Sequence, residues 1–154
     1  MSPLSPEQVE SIVRRLDFMR TELQDVPKFS GMTQEDYLTD RDRRRSLERL
    51  AENVLNASID IAKILLAAGD YPIPDTYRDA LLQLGATGVL SRDLAEQVAE
   101  LARLRNILAH QYLDIRWNSL KDFIDAAPLV LRGFISRVER LVQSYLNDQP
   151  PQRA

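Results

Sequence analysis

The chain has no cysteine, one histidine and one tryptophan in 154 residues. Without thiols there are no disulfides, no thiolate zinc sites and no cysteine nucleophiles. No apolar run approaches the roughly 18 residues needed to span a bilayer, so no membrane segment is expected. Met1-Ser-Pro-Leu-Ser-Pro-Glu7 lacks the basic-then-apolar pattern of a signal peptide, and a soluble cytoplasmic protein is the default expectation. No stretch alternates with a period of two, and no internal repeat is visible. What remains is ordinary: 44% apolar and 28% charged residues, enough for a single core in a single domain.

A net charge of −3 does not advertise nucleic-acid binding. The distribution is less even than the total. All basic residues except Lys28, Lys63 and Lys121 are arginine, and Arg41, Arg43, Arg44, Arg45 and Arg49 are crowded together. Arginine favours bidentate phosphate contacts, yet Asp40, Asp42 and Glu48 are interleaved. A salt-bridged solvent face and a local RNA-backbone patch both fit.

Periodicity predicts an all-α antiparallel bundle of about five helices. Ser5-Pro6-Glu7 reads as a helix start, followed by a face of Val9, Ile12, Val13, Leu16, Met19 and Leu23. Pro27 to Gly31 breaks it. Thr33 to Asp36 resembles a capping box and opens a second helix to Ala68, bent near Asp40. Gly69 and Pro72 stop that helix. A third starts around Pro74, carries Tyr77, Leu81, Leu82 and Leu84, and closes in Gly85-Ala-Thr-Gly88. Ser91 caps a fourth, with Leu94, Val98, Leu101, Leu104 and Leu108. The fifth is expected from about Ser119 to Tyr145, kinked where Pro128 crowds the carbonyl of Ile124. Residues 1–146 form the expected domain and 147–154 a frayed tail.

The lone histidine lies in Arg105-Asn-Ile-Leu-Ala-His110-Gln-Tyr112. At 100° per residue Arg105 falls about 20° from the line through Leu94, on the apolar stripe. It can pair with a buried carboxylate, snorkel past the core, or border an interface or ligand site. Asn106 and His110 share a face, but His110 lies roughly 140° around the helix from Arg105. The two would meet on one phosphate only if the helix unwound before His110 or a second copy packed against it, and symmetric dimers are the commonest assembly. Histidine can serve as general base and then general acid; an arginine fork can hold a phosphodiester. RNA supplies its own 2′-hydroxyl nucleophile, so this chemistry needs no metal, and no His/Asp/Glu set with metal-ligand spacing accompanies His110. The bland alternative is a helix-end imidazole bonded to a carbonyl.

The second helix adds a polar stripe of Arg49, Asn53, Asn56, Asp60 and Lys63. Asparagine is a mediocre helix former, so Asn53 and Asn56 fit either specific hydrogen bonds or a plain solvent face. Asp60 is a candidate orienting group for Arg105 or His110. Tyr71, Tyr77 and Trp117 read most simply as core or hinge packing, although Trp117 could line a cleft beside the motif.

The Arg-x₄-His-x-Tyr segment closing the fourth helix, together with Asn53-x₂-Asn56-x₃-Asp60 on the helix from Arg45 to Asp60, resembles the HEPN superfamily, more narrowly its HepT-like group. The likeness runs from about Asp40 through Tyr145. It implies an all-α homodimer with both motifs at the interface, forming a metal-independent endoribonuclease without a cofactor. It further implies a toxin–antitoxin pairing with an MNT-type nucleotidyltransferase that moves AMP from ATP to the motif tyrosine, and an RNA substrate (tRNA or mRNA). On that resemblance Arg105 would bind and polarise phosphate, His110 would be the acid/base, Asn106 would orient the site, and Tyr112 would accept AMP. Asp60, Asn56, Asn53 and Arg49 are the further orienting or RNA-contacting candidates. A nucleotide two residues from His110 would put bulk and negative charge where RNA phosphate must bind. Two other readings compete: a non-catalytic dimer whose cleft holds a nucleotide or the transferase, and a structural helical protein with Arg105 paired in its core.

Overall fold

The computed structural model describes residues 4–148. Six α-helices carry the described chain: α1 (Pro6–Leu23), α2 (Gln34–Thr39), α3 (Arg41–Ala68), α4 (Tyr77–Ala86), α5 (Arg92–His110) and α6 (Leu113–Asn147), with a 3₁₀ turn at Val26–Phe29. Among the described residues there is no strand, as the missing period of two predicted. Among the described residues no helix is long and apolar enough to cross a membrane. The domain bound expected at 146 falls inside α6, and the expected tail lies outside the described residues beyond Asp148.

Local chemistry sets the helix starts. Ser5 accepts from the Gln8 amide while Gln8 reaches back to the Ser5 amide, and Pro6 occupies the first helical position where it forfeits no hydrogen bond. Thr33 and Asp36 form the same reciprocal box at α2, and Ser91 caps α5 through the Leu94 amide. Each such cap stabilises its helix by about 1 kcal/mol. Gly88, at φ 81°, turns the chain from α4 into α5 in the left-handed conformation that glycine tolerates. Gly85 serves differently: a Cβ there would sit 2.8 Å from the Ala95 Cβ, so its hydrogen lets α4 lie against α5.

Three boundaries differ from expectation. The second predicted helix is two: Asp40, at φ −91° and ψ 90°, ends α2 and caps α3 through the Arg43 amide. No apolar residue lies between Leu38 and Leu47, and within that polar gap the aspartate makes the break by capping α3. Helix α4 starts after Thr76 rather than at Pro74, with Thr76 accepting from the Asp79 amide. Helix α6 begins at Leu113, not Ser119, and runs unbroken through Pro128. Its N-cap is Tyr112, whose side chain makes no capping bond, so no cap residue announces the start.

Helices α1, α3, α5 and α6 share one core around Ile12, Met19, Leu55, Ile61, Val98, Phe123 and Phe134. Val13, expected on the inner face of α1, is 41% exposed, one step around the helix from fully buried Ile12. Trp117 is buried, its ring centroid 5.4 Å from that of Tyr37, and it packs α6 onto α2.

Candidate active site

The segment His110–Tyr112 is the junction of α5 and α6. Helix α5 stays regular to His110, after which Gln111 (φ −108°, ψ 161°) and Tyr112 (φ −73°, ψ 163°) are extended. The helix therefore does not unwind before His110, and the roughly 140° between Arg105 and His110 persists within one chain. His110 is exposed, and its ring has no hydrogen-bond partner among the described residues. Asn106 is also exposed. Tyr112 is 84% exposed, unusually open for a large aromatic side chain.

Arg105 is half-buried and held from two sides. Its Nε donates to Asn56 Oδ1 at 2.5 Å, and its guanidinium carbon sits 4.6 Å from the centroid of the Tyr77 ring. Lys63 approaches the same ring at 5.0 Å. No carboxylate pairs with Arg105 among the described residues, and its two terminal nitrogens have no acceptor there. A neutral amide thus fixes the guanidinium plane without cancelling its charge. Such a group is ready for bidentate contact with phosphate.

Asp60, a candidate orienting group, instead lies 3.5 Å from Arg15 of α1. The structure assigns orientation of Arg105 to Asn56. Asn53 and Asn56 line a groove between α1 and α3, and Arg49 stands exposed farther along it.

A second arginine, Arg116, steadies the junction from the other side. Its Nε donates to the Gln111 carbonyl at 2.7 Å, and its Nη1 lies 3.5 Å from Glu48 Oε1. The same oxygen accepts from the Tyr37 hydroxyl at 2.5 Å. Burial, then the Glu48 carboxylate, push the Tyr37 phenol well above its ordinary pKa. Arg44 adds its guanidinium 5.8 Å from the Tyr37 ring and donates to the carbonyls of Tyr37 and Leu38. Nothing in the sequence pairs these residues, which lie on three different helices. The sequence shows only that acidic residues, Glu48 among them, are interleaved with the arginines.

Between Gln97–Ile107 of α5 and Ser119–Val130 of α6 lies an open groove of about 450 Å³, with Leu101, Leu104, Ile107, Phe123 and Val130 as its apolar lining and Glu100, Arg103 and Asp122 as its charged lining. Leu129 is 81% and Ile115 44% exposed on the same helix pair.

The described helical bundle presents a free imidazole and an open phenol at the α5–α6 junction and an uncancelled arginine earlier on α5, the arrangement of an Arg-x₄-His-x-Tyr protein. The comparisons narrow that class. The Ribonuclease HepT-like family model matches residues 19–138, and the chain belongs to that family. A tRNA nuclease HepT of Aphanizomenon flos-aquae is 31% identical over 120 residues, covering 78% of this chain and 80% of the relative. Among solved structures, the tri-AMPylated Shewanella oneidensis HEPN toxin in complex with MNT antitoxin superposes with a TM-score of 0.73 at 17% identity, over 84% of this chain and 97% of that one. The cytosolic protein YutE of Bacillus subtilis, of unknown function, superposes with a TM-score of 0.75 at 19% identity, over 97% and 99%. At those identities the structural likenesses speak for the fold alone.

Proposed function

We propose that this protein is a metal-independent endoribonuclease toxin, acting at a composite site where two copies of α5 meet, and silenced by AMP transfer to Tyr112. The observation that carries the reading is the oriented, charge-uncancelled guanidinium of Arg105 five residues from an unpartnered, exposed imidazole. The name of the Aphanizomenon relative supports RNA, and transfer RNA before messenger RNA, as substrate. The AMPylated Shewanella toxin supports the modification and the MNT-type partner.

One copy is insufficient because Arg105 and His110 diverge. The groove between α5 and α6, whose α5 wall ends at Ile107, together with solvent-open Leu129 and Ile115, is a suitable seat for a second copy; large exposed apolar areas mark interfaces. In such a pair the cations of one helix face the imidazole of the other. One His110 takes the proton of the ribose 2′-hydroxyl as its oxygen bonds to phosphorus. The phosphorus–O5′ bond breaks, and the partner copy's imidazolium returns a proton to O5′. A 2′,3′-cyclic phosphate and a 5′-hydroxyl result. Arg105 holds the non-bridging oxygens as charge builds on them, and Asn106 offers an amide on the His110 face.

Silencing follows from exposure. The Tyr112 oxygen attacks the α-phosphorus of ATP, loses its proton and releases pyrophosphate. The AMP-tyrosine then carries negative charge two residues from His110, where substrate phosphate must sit.

Expression without a transferase should arrest growth, and His110→Ala and Arg105→Ala should each relieve it, the first lowering RNA cleavage about 10²–10⁴-fold as loss of an acid/base group does, the second about 10²–10³-fold as loss of a transition-state charge contact does. Equal toxicity of all three proteins would refute catalysis. Incubation with the cognate transferase and ATP should add AMP mass to the Tyr112 peptide and none to Tyr112→Phe. RNA binding without cleavage, unaffected by His110→Ala, would assign the cleft to the non-catalytic reading.

A further inference from the structure

No arginine of the cluster at residues 41–49 contacts Arg105 or His110, and the fold divides the cluster. Arg43 is spent on the Lys28 carbonyl and Asp36, and Arg44 on the carbonyls and ring around Tyr37. Arg45 and Arg49 are different: both are exposed, one turn apart on α3, and neither has a partner among the described residues. The helix gains nothing from them, since cations in its first turns oppose the dipole.

Their surroundings give them a use. Helices α1 and α3 leave two open cavities, of about 730 Å³ beside Arg45 and Arg49 and about 410 Å³ beside Asn56, and Asn53 lines both. The result is a continuous groove, about 16 Å from Arg45 to Asn56 at 1.5 Å per residue. Asn56 is the residue that holds Arg105. In the cavity at the Asn56 end, Phe18 of α1 lines the groove with 42% of its surface open. Of the carboxylates facing in, Asp25 is paired with Lys28 and Asp60 with Arg15, leaving Glu22 as the one without an ion pair among the described residues. Two free guanidinium groups therefore outweigh one free carboxylate.

We propose that the α1–α3 groove is a track for single-stranded RNA, in which Arg45 and Arg49 hold backbone phosphates, Phe18 stacks an unpaired base, and the strand continues past Asn56 to Arg105. A basic groove with an aromatic platform is how single strands are held without base-specific contacts. Stacking on a side chain requires a base free of a duplex. The inference extends the ribonuclease reading from the reacting phosphate to its flanking nucleotides, and it can fail separately.

The test is equilibrium binding of a labelled single-stranded RNA of mixed sequence across a salt series, in a His110→Ala parent that cannot cleave it. Arg45→Ala/Arg49→Ala should weaken binding at least about tenfold at low salt and flatten the dependence of log K on log salt by about 1.4, at roughly 0.7 per phosphate. Phe18→Ala should weaken binding about tenfold with the salt slope unchanged. Arg92→Ala/Arg132→Ala, an equal charge change on exposed residues of α5 and α6, should alter neither quantity. Parent-like affinity and slope in Arg45→Ala/Arg49→Ala would overturn the track, as would an equal loss in the control. Retained RNA binding with lost association to the nucleotidyltransferase would overturn it in favour of a protein interface. If His110→Ala leaves cleavage intact while Arg45→Ala/Arg49→Ala still weakens RNA binding, the track stands and the catalytic assignment falls.

Discussion

Arg105 and Arg116 lie on either side of the exposed His110–Tyr112 segment, both half-buried, and the fold treats them oppositely. Arg116 reaches Glu48, which also takes the Tyr37 hydroxyl, so its charge is cancelled inside a closed network joining α2, α3 and α6. Arg105 receives a neutral amide and an aromatic face. Desolvating a guanidinium without a carboxylate costs stability, and Arg116 shows that this chain can supply a carboxylate where structure alone is at stake. On the proposed function, the uncancelled charge at Arg105 is the one held in reserve for an anion from outside.

The sharpest way to break the contrast is to make Arg105 resemble Arg116. Asn56→Asp places a carboxylate against Nε without changing side-chain size. It should leave the fold intact, with an unchanged or raised melting temperature, yet lower RNA cleavage about a hundredfold, the scale of one lost charge-assisted contact to the transition state. Asn56→Ala removes the orientation and keeps the charge, so its loss should be smaller. If Asn56→Asp cleaves as well as the parent, the free charge is not what the site uses.

The reverse change tests Arg116. Glu48→Ala leaves the Tyr37 hydroxyl and the Arg116 guanidinium without their acceptor, in a site where the Glu48 side chain is only 18% and the Arg116 side chain 25% exposed. A loss of about 2–3 kcal/mol is expected from denaturant unfolding. RNA cleavage per folded molecule should fall far less than in Asn56→Asp. A larger catalytic than structural effect would mean that Arg116, through the Gln111 carbonyl, sets the position of His110.

Much of this was legible in the chain. The caps at Ser5, Thr33 and Ser91 and the helical periodicity gave the bundle, because both are local. Mid-helix Asn56 hinted at a specific hydrogen bond, and it makes one, to a residue 49 positions away. The identity of that partner was not legible, since helix faces do not reveal which neighbour they meet. Asp60 looked equally suited to orient Arg105 but faces Arg15 across α1. At Asp40 the sequence reads as a bend, since a polar gap from Thr39 to Ser46 does not distinguish a bend from a break, and the start of α6 at Leu113 carries no side-chain signal because Tyr112 caps it with backbone alone.

The smallest effect expected is a pH response confined to the Arg116 side of the contrast. The folded state raises the Tyr37 pKa above its ordinary value of 10.0, chiefly by burial and then through Glu48. A phenol whose proton is bound more tightly when folded contributes stability that is complete below the unfolded value and is lost as pH rises past it. Unfolding midpoints should therefore decline above about pH 10 in the parent. Subtracting the same titration for Tyr37→Phe, which carries no ionisable hydroxyl and should be less stable at neutral pH, isolates the phenol from lysines and other tyrosines titrating nearby. The difference between the two proteins should shrink as pH rises from 9 to 11. A constant difference would mean that the hydroxyl is not held by Glu48 in solution, and that the network cancelling the Arg116 charge is looser than the distances imply.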